Sequence, residues 1–173
     1  MPLSVQKTLT TTVMPINPLK VFVDTNIFVA LANKNDSTHV RALKLLDFLE
    51  ERRALLFTSS DVIGETLTVM ARKLGKKDAI NFLMDYKNSG IKEIFIDEKI
   101  HEDAQKLFLK ERSKLVSFIN KFESSPEKLC FQASLIDCSS AVAIQQNKIP
   151  YAFTFDKQFK GLGIKLLEEF ARV

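Results

Sequence analysis

Four carboxylates stand where a folded chain could bring them together. Asp24 ends the apolar run Val21-Phe22-Val23-Asp24, and Asp156 ends the run Tyr151-Ala152-Phe153-Thr154-Phe155-Asp156. Asp137 falls in the first turn of a helix predicted over 135–147, and Glu65 in the first half of a helix that follows the strand predicted over 54–58. Carboxylates gathered at one rim repel and raise one another's proton affinity unless cations neutralise them. Mg²⁺ and Mn²⁺ accept such oxygen donors, so the chemistry open to this pattern is metal-assisted. No serine, cysteine or histidine arrangement offers a rival covalent route. Cys130, Cys138, His39 and His101 lack zinc-ligand spacing. Two cysteines in a chain of 173 residues do not make a disulfide framework. Both thiols read as reduced packing residues, and the histidines as surface or helix residues.

Each acid also has a simpler explanation. Asp24 and Asp156 could cap the helices that follow them. Ser134 and Asp137 have the spacing of a capping box. Glu65 lies off the main apolar stripe of its helix and could be a solvated residue facing Arg72. What favours the joint reading is topology: in open α/β sheets, ligands bind beyond the carboxyl ends of the strands. Two buried strands that each end in an acid would deliver both to that rim.

The elements that must do this positioning follow from apolar patterning. Strands are predicted over 20–24, 54–58, 91–97 and 151–155, with one more over 164–167. Between them come a helix carrying Ile27, Phe28 and Leu31, and one from Asp36-Ser37 with a stripe of Val40, Leu43, Leu46 and Leu49. A third is capped in Ser59-Ser60-Asp61, buries Ile63, Leu67, Met70 and Leu74, and stops at Gly75. A short helix over 78–87 ends before Gly90. A long helical stretch over 98–122, as one helix or two, breaks at Ser124-Ser125-Pro126, and the last helix is capped by Ser134. Alternating strands and helices imply a three-layer α/β/α sandwich with a mainly parallel central sheet.

Residues 1–19 read as a polar, flexible arm and 20–173 as a single domain; 46% hydrophobic residues suffice for one core. No apolar run reaches the roughly 18 residues of a membrane span, and the first twenty residues lack the apolar core of a signal peptide. A cytoplasmic protein with no membrane association is the expectation. A formal net charge of +4 is compatible with a nucleic-acid partner.

Three segments, VFVDTNIFVAL, TSSDVIGETLTVM and SLIDCSSAVAIQQNKIPYAFTFDKQF, taken in that order, resemble the PIN-domain family, including the VapC-type toxins of toxin–antitoxin pairs. The resemblance runs from about residue 20 to the C-terminus. It implies a PIN-like fold in which Asp24, Glu65, Asp137 and Asp156 form one catalytic, metal-holding site. Asn26 and Thr154 match flanking polar positions that bind metal-bound water or phosphate, against the simpler roles of helix capping and strand propensity. The implied activity is hydrolysis of RNA phosphodiester bonds with Mg²⁺ or Mn²⁺, which lowers the pKa of bound water. The implied partners are RNA, an antitoxin protein and a second copy of the chain in a homodimer.

Two alternatives stay open: a PIN-like module that binds RNA or protein in RNA processing without cutting, and a phosphotransferase or phosphatase built on another α/β fold. An aspartyl-phosphatase would want a second Asp two residues after the first, where Asn26 stands. The run Arg72-Lys73-Leu74-Gly75-Lys76-Lys77 could hold RNA phosphates, or could simply favour a helix C-terminus; Lys157 and Lys160 lie nearer the acids in sequence. The chain exceeds the family's small toxins by residues 1–19 and 110–131. The second of these carries Phe118, Phe122 and Phe131 and reads as a contact surface or as extra core.

Overall fold

Val21, Phe22 and Val23 are all buried, which places their strand, β1 (Lys20–Val23), inside a sheet covered on both faces. β2 (Leu55–Ser59) and β4 (Tyr151–Phe153) flank it, and β3 (Lys92–Ile94) pairs with the far side of β2. The order is β3-β2-β1-β4 and every pairing is parallel. The computed structural model describes residues 18–121, of which 111–121 as helical backbone, and 133–171. The arm expected at 1–19 lies almost wholly outside the described residues, as do Cys130 and the side chains of Phe118, Phe122 and Phe131.

The helices are α1 (Thr25–Ala32), α2 (His39–Glu51), α3 (Ser60–Lys73), α4 (Lys76–Asn88), α5 (Glu98–Lys121), α6 (Leu135–Gln146), α7 (Gln158–Gly161) and α8 (Leu167–Ala171). From β1 the chain steps to β2 and β3 in one direction, then returns past β2 and β1 to β4. Right-handed crossovers put the helices of the outward steps on one face and those of the return on the other. Accordingly α1 packs on α2 and α3, and α3 on α4, while α5 packs on α6. The three-layer α/β/α sandwich is the observed architecture. Its topological switch point lies between β1 and β4, where the strand order reverses.

α6 buries residues on every side, from Cys138 to Ile144, as befits an internal helix. Its small Ser139, Ser140, Ala141 and Ala143 are all buried. In α3, Ser59 is the cap and accepts a hydrogen bond from the Val62 amide.

Several expectations need correction. In α2 the buried residues are Ala42, Leu45 and Leu49, while Val40 is 64% exposed and Leu43 39%. Each three-residue step falls about 60° short of a full turn, so three such steps drift from one face of the helix to the other. The stripe of α3 is Val62, Ile63, Thr66 and Met70; Leu67 and Leu74 are only partly buried. Gly75, at φ 105°, ends α3 and at once precedes α4, so that helix starts at Lys76. The strand expected at 91–97 contracts to Lys92–Ile94. The one expected at 164–167 is a single parallel bridge between Ala152 and Leu166, because Leu167 already opens α8.

Candidate active site: an acidic cleft at the sheet rim

Parallel register carries Asp24 to its neighbours. Val23 pairs with Phe153, so the next residues, Asp24 and Thr154, emerge side by side beyond the carboxyl ends of β1 and β4. The Asp24 amide donates to the Phe153 carbonyl at 3.1 Å and closes the ladder. The rim above is a cleft of about 580 Å³ lined by Asp24, Glu65, Asp137 and Asp156, together with Thr25, Asn26, Asp36, Thr38, Lys73, Ser134 and the apolar Val29, Val69 and Phe155. The four acids singled out from sequence are thus brought to one cleft. Thr154 lies beneath it, 1% exposed.

Asp24 precedes α1 but makes no side-chain cap there. Its Oδ2 instead accepts from Asn26 Nδ2 at 2.6 Å and from Thr154 Oγ1 at 2.7 Å. Asn26 Nδ2 also donates to Thr154 Oγ1 at 2.8 Å, and Asn26 Oδ1 accepts from the Phe155 amide at 3.1 Å. The Asn26 amide is therefore a strut between the ends of β1 and β4 rather than a group held open for water or phosphate. Thr154 Oγ1 further accepts from the Asp156 amide at 3.0 Å. The strut thus sets the backbone that presents Asp156, whose Oδ1 in turn accepts from the Gln158 amide at 2.8 Å.

Glu65 does not behave as a solvated partner of Arg72. Its Oε2 accepts from Thr25 Oγ1 at 2.6 Å, which ties the α3 acid to the residue next to Asp24. Asp137 does form the capping box: its amide donates to Ser134 Oγ at 3.1 Å and its Oδ2 accepts from the Ser134 amide at 2.6 Å. Capping and facing the cleft are compatible, since the carboxylate has a second oxygen. Ser139 Oγ donates to Asp61 Oδ2 at 2.8 Å, a clip between α6 and α3. That clip fixes the helix carrying Asp137 against the one carrying Glu65.

Burial dominates the electrostatics. Asp24 is 5% exposed. Removal from water pushes its pKa up to about 7; the Thr154 hydroxyl and a backbone contact at Thr25 oppose this, and the charges of Asp137 and Glu65 add to it. Burial likewise raises the Asp137 carboxyl, its bonds to Ser134 pull the other way, and the Asp156 charge raises it further. The repulsion expected among the acids is present, but second to desolvation.

Neither histidine lines the cleft: His39 Nδ1 lies 2.7 Å from the Ala30 carbonyl, and exposed His101 faces Gln105. Lys160 pairs with Glu169 instead of facing the acids. Sequence reading passed over Thr25, Asp36, Thr38 and the Asp61–Ser139 clip. For Thr25 a signal existed: a hydroxyl between a strand-end Asp and a flanking Asn. For the others the sequence carried none.

The donor set fits a hard divalent cation in kind: carboxylate and hydroxyl oxygens, with one carboxyl so deprived of water that it holds its proton near neutrality. Among the described residues no group of three or more Asp, Glu, His or Cys side chains is already set as a metal cage.

The acidic cleft stands where open parallel α/β domains bind their ligands, at the switch point of the sheet. The sequence matches the PIN domain family over residues 21–165, and the chain belongs to that family. It is 23% identical over 143 residues to the 23S rRNA-specific endonuclease VapC20 of Mycobacterium tuberculosis, covering 83% of this chain and 94% of that protein. The crystal structure of that VapC20, a Sarcin-Ricin loop cleaving toxin, superposes with a TM-score of 0.65 at 22% identity, over 83% of this chain and 95% of that one. VapBC2 from Rickettsia felis, bound to a DNA fragment from their promoter, gives 0.55 at 19% identity, over 86% and 97%. FitAcB from Neisseria gonorrhoeae gives 0.51 at 17%, over 84% and 95%.

Proposed function

We propose that this protein is a metal-dependent ribonuclease of the VapC toxin type, with Asp24, Glu65, Asp137 and Asp156 as its catalytic acids and residues 20–173 as its nuclease domain. The observation that carries the proposal is the buried Asp24 carboxylate, set in a cleft that four other acids line, Glu65, Asp137 and Asp156 among them. Such a group serves stability poorly, and a pKa raised by burial in a cleft is the pattern of functional sites. The VapC20 relative, named for cutting 23S rRNA, supports RNA as substrate.

Asp24 and Asp137 would hold Mg²⁺ or Mn²⁺, with Asp156 completing the oxygen set. Bound there, the ion would acidify water and neutralise charge at the phosphodiester. Thr25 holds Glu65 by a hydrogen bond to Oε2, leaving Oε1 to orient the attacking water. The Asn26–Thr154 strut keeps Asp24 in place as its charge changes. Burial pushes the Asp24 pKa up to about 7, so holding an ion there would favour its charged form and displace the proton. A neutralising antitoxin completes the toxin reading, supported by VapBC2 among its structural neighbours; a second copy of the chain in a homodimer and a cytoplasmic site of action belong to the same proposal. No helix among the described residues is long and apolar enough to cross a membrane.

The test is a cleavage assay on single-stranded RNA of mixed sequence with Mn²⁺ or Mg²⁺. Fragments are expected with either ion and none in excess chelator. Intact RNA with metal present, from folded protein that still binds it, would instead mark a non-cleaving binding module.

A further inference from the structure

The lining of the cleft is lopsided in charge. Among the described residues it holds five acids, Asp24, Asp36, Glu65, Asp137 and Asp156, and a single cation, Lys73. An RNA strand entering such a lining meets strong repulsion, which a divalent ion at the acids relieves only locally.

Lys73 sits where the rest of the strand would pass. Glu65, Val69 and Lys73 follow at four-residue spacing on α3, so they share one helix face, and all three line the cleft. Eight residues of helix separate Lys73 from Glu65 by about 12 Å along the axis. The lysine therefore stands clear of the reacting phosphate and within the path of a flanking one. Across from it, Asp36 accepts from the Thr38 amide at 2.8 Å and from Thr38 Oγ1 at 2.6 Å, which fixes its carboxylate in the cleft wall. The two Thr38 bonds chiefly, and after them the Lys73 charge, hold the Asp36 carboxyl below its ordinary value. Asp36 and Lys73 thus line the same cleft, the carboxylate held by Thr38 and the ammonium close enough for its charge to be felt there.

On the reading of the cleft as a ribonuclease site, we propose that Lys73 is its phosphate-positioning residue, which grips a backbone phosphate flanking the scissile bond of single-stranded RNA. Its neighbours Lys76 and Lys77, also exposed, do not line the cleft and have no such role.

Fluorescence anisotropy of a labelled single-stranded RNA oligonucleotide tests this, using protein carrying Glu65→Gln, which removes the group assigned to the attacking water and keeps Asp24, Asp137 and Asp156 for the ion, so that the RNA stays uncut, with Mn²⁺ and across a salt series. Lys73→Ala is expected to weaken binding roughly three- to tenfold. It should also reduce the slope of log affinity against log salt by about 0.7, the loss of one single-strand phosphate contact. Lys73→Arg should keep the slope, and Lys77→Ala should not change it. A lysine that merely favours the C-terminus of α3 would alter the melting temperature of Lys73→Ala and leave the slope intact. An unchanged slope in Lys73→Ala, an equal loss in Lys77→Ala, or no RNA binding with Lys73 present overturns the proposal. RNA held through Lys73 but left intact by the wild-type protein with Mn²⁺ supports this inference while removing the ribonuclease reading. RNA that is cut, with no change of slope in Lys73→Ala, does the reverse.

Discussion

Asp24→Asn should abolish metal-dependent RNA cleavage while leaving the fold in place. The loss expected for removing a carboxylate at the reacting centre is roughly 100- to 10,000-fold in kcat/KM. The fold should survive because asparagine has the same shape, and its carbonyl oxygen can take the place of Asp24 Oδ2. It can then still accept from Asn26 Nδ2 and Thr154 Oγ1. Asp137→Asn should lose activity comparably. Its amide group keeps one acceptor oxygen for the Ser134 amide, so the capping box of α6 can persist. Steady-state cleavage kinetics with circular dichroism of both variants check the expectation. Near-normal turnover by either folded variant would remove that residue from the site.

Stability against pH and metal should show a second large effect. In the metal-free protein burial pushes the Asp24 pKa up to about 7, against an ordinary 3.8 for a solvated Asp. The native state therefore binds the proton more tightly than the unfolded chain does. The sign follows: stability is greatest at and below about pH 4, is lost as pH rises from there to about 7, and stays at its lower level above that. At one pKa unit per 1.36 kcal/mol, the loss is at most about 4 kcal/mol. Asp24→Asn has no proton to lose. In chelator at pH 8 it should melt several degrees above wild type, and the gap should close as pH falls toward 4. Saturating Mn²⁺ should raise the wild-type melt by mass action and the variant's far less. Thermal melts of both proteins at two pH values, with and without Mn²⁺, provide the test. Equal metal-induced shifts would mean that Asp24 is not a ligand.

The legible part of this fold is the part set by continuous apolar runs. Val21-Phe22-Val23 and Tyr151-Ala152-Phe153 are buried on both sides, so their strands and the acids just beyond them could be placed from local pattern. What local pattern could not reveal is pairing. That Asn26 bridges Asp24 and Thr154 depends on β1 lying next to β4, a contact 128 residues apart in sequence. The clip from Ser139 to Asp61 likewise joins two helices 78 residues apart. Read locally, Asp61 was part of a cap, a role that Ser59 fills in the structure. The stripe of α2 was misread because alanine at 42 carried no signal beside three leucines and a valine, although Ala42 is fully buried. The acids were expected to disturb one another mainly by charge. Their depth, which no sequence displays, makes desolvation the larger cause at Asp24 and Asp137.

The central claim is that these carboxylates gather around a divalent cation at the switch point of the sheet. Anomalous diffraction from crystals of the wild-type protein grown with Mn²⁺ tests it most directly. The expected result is a peak in the cleft between Asp24 and Asp137, at about 2.0–2.6 Å from carboxylate oxygens, that disappears in Asp24→Asn crystals. Mn²⁺ bound only elsewhere on the molecule, with the cleft empty at a saturating concentration, would contradict the claim.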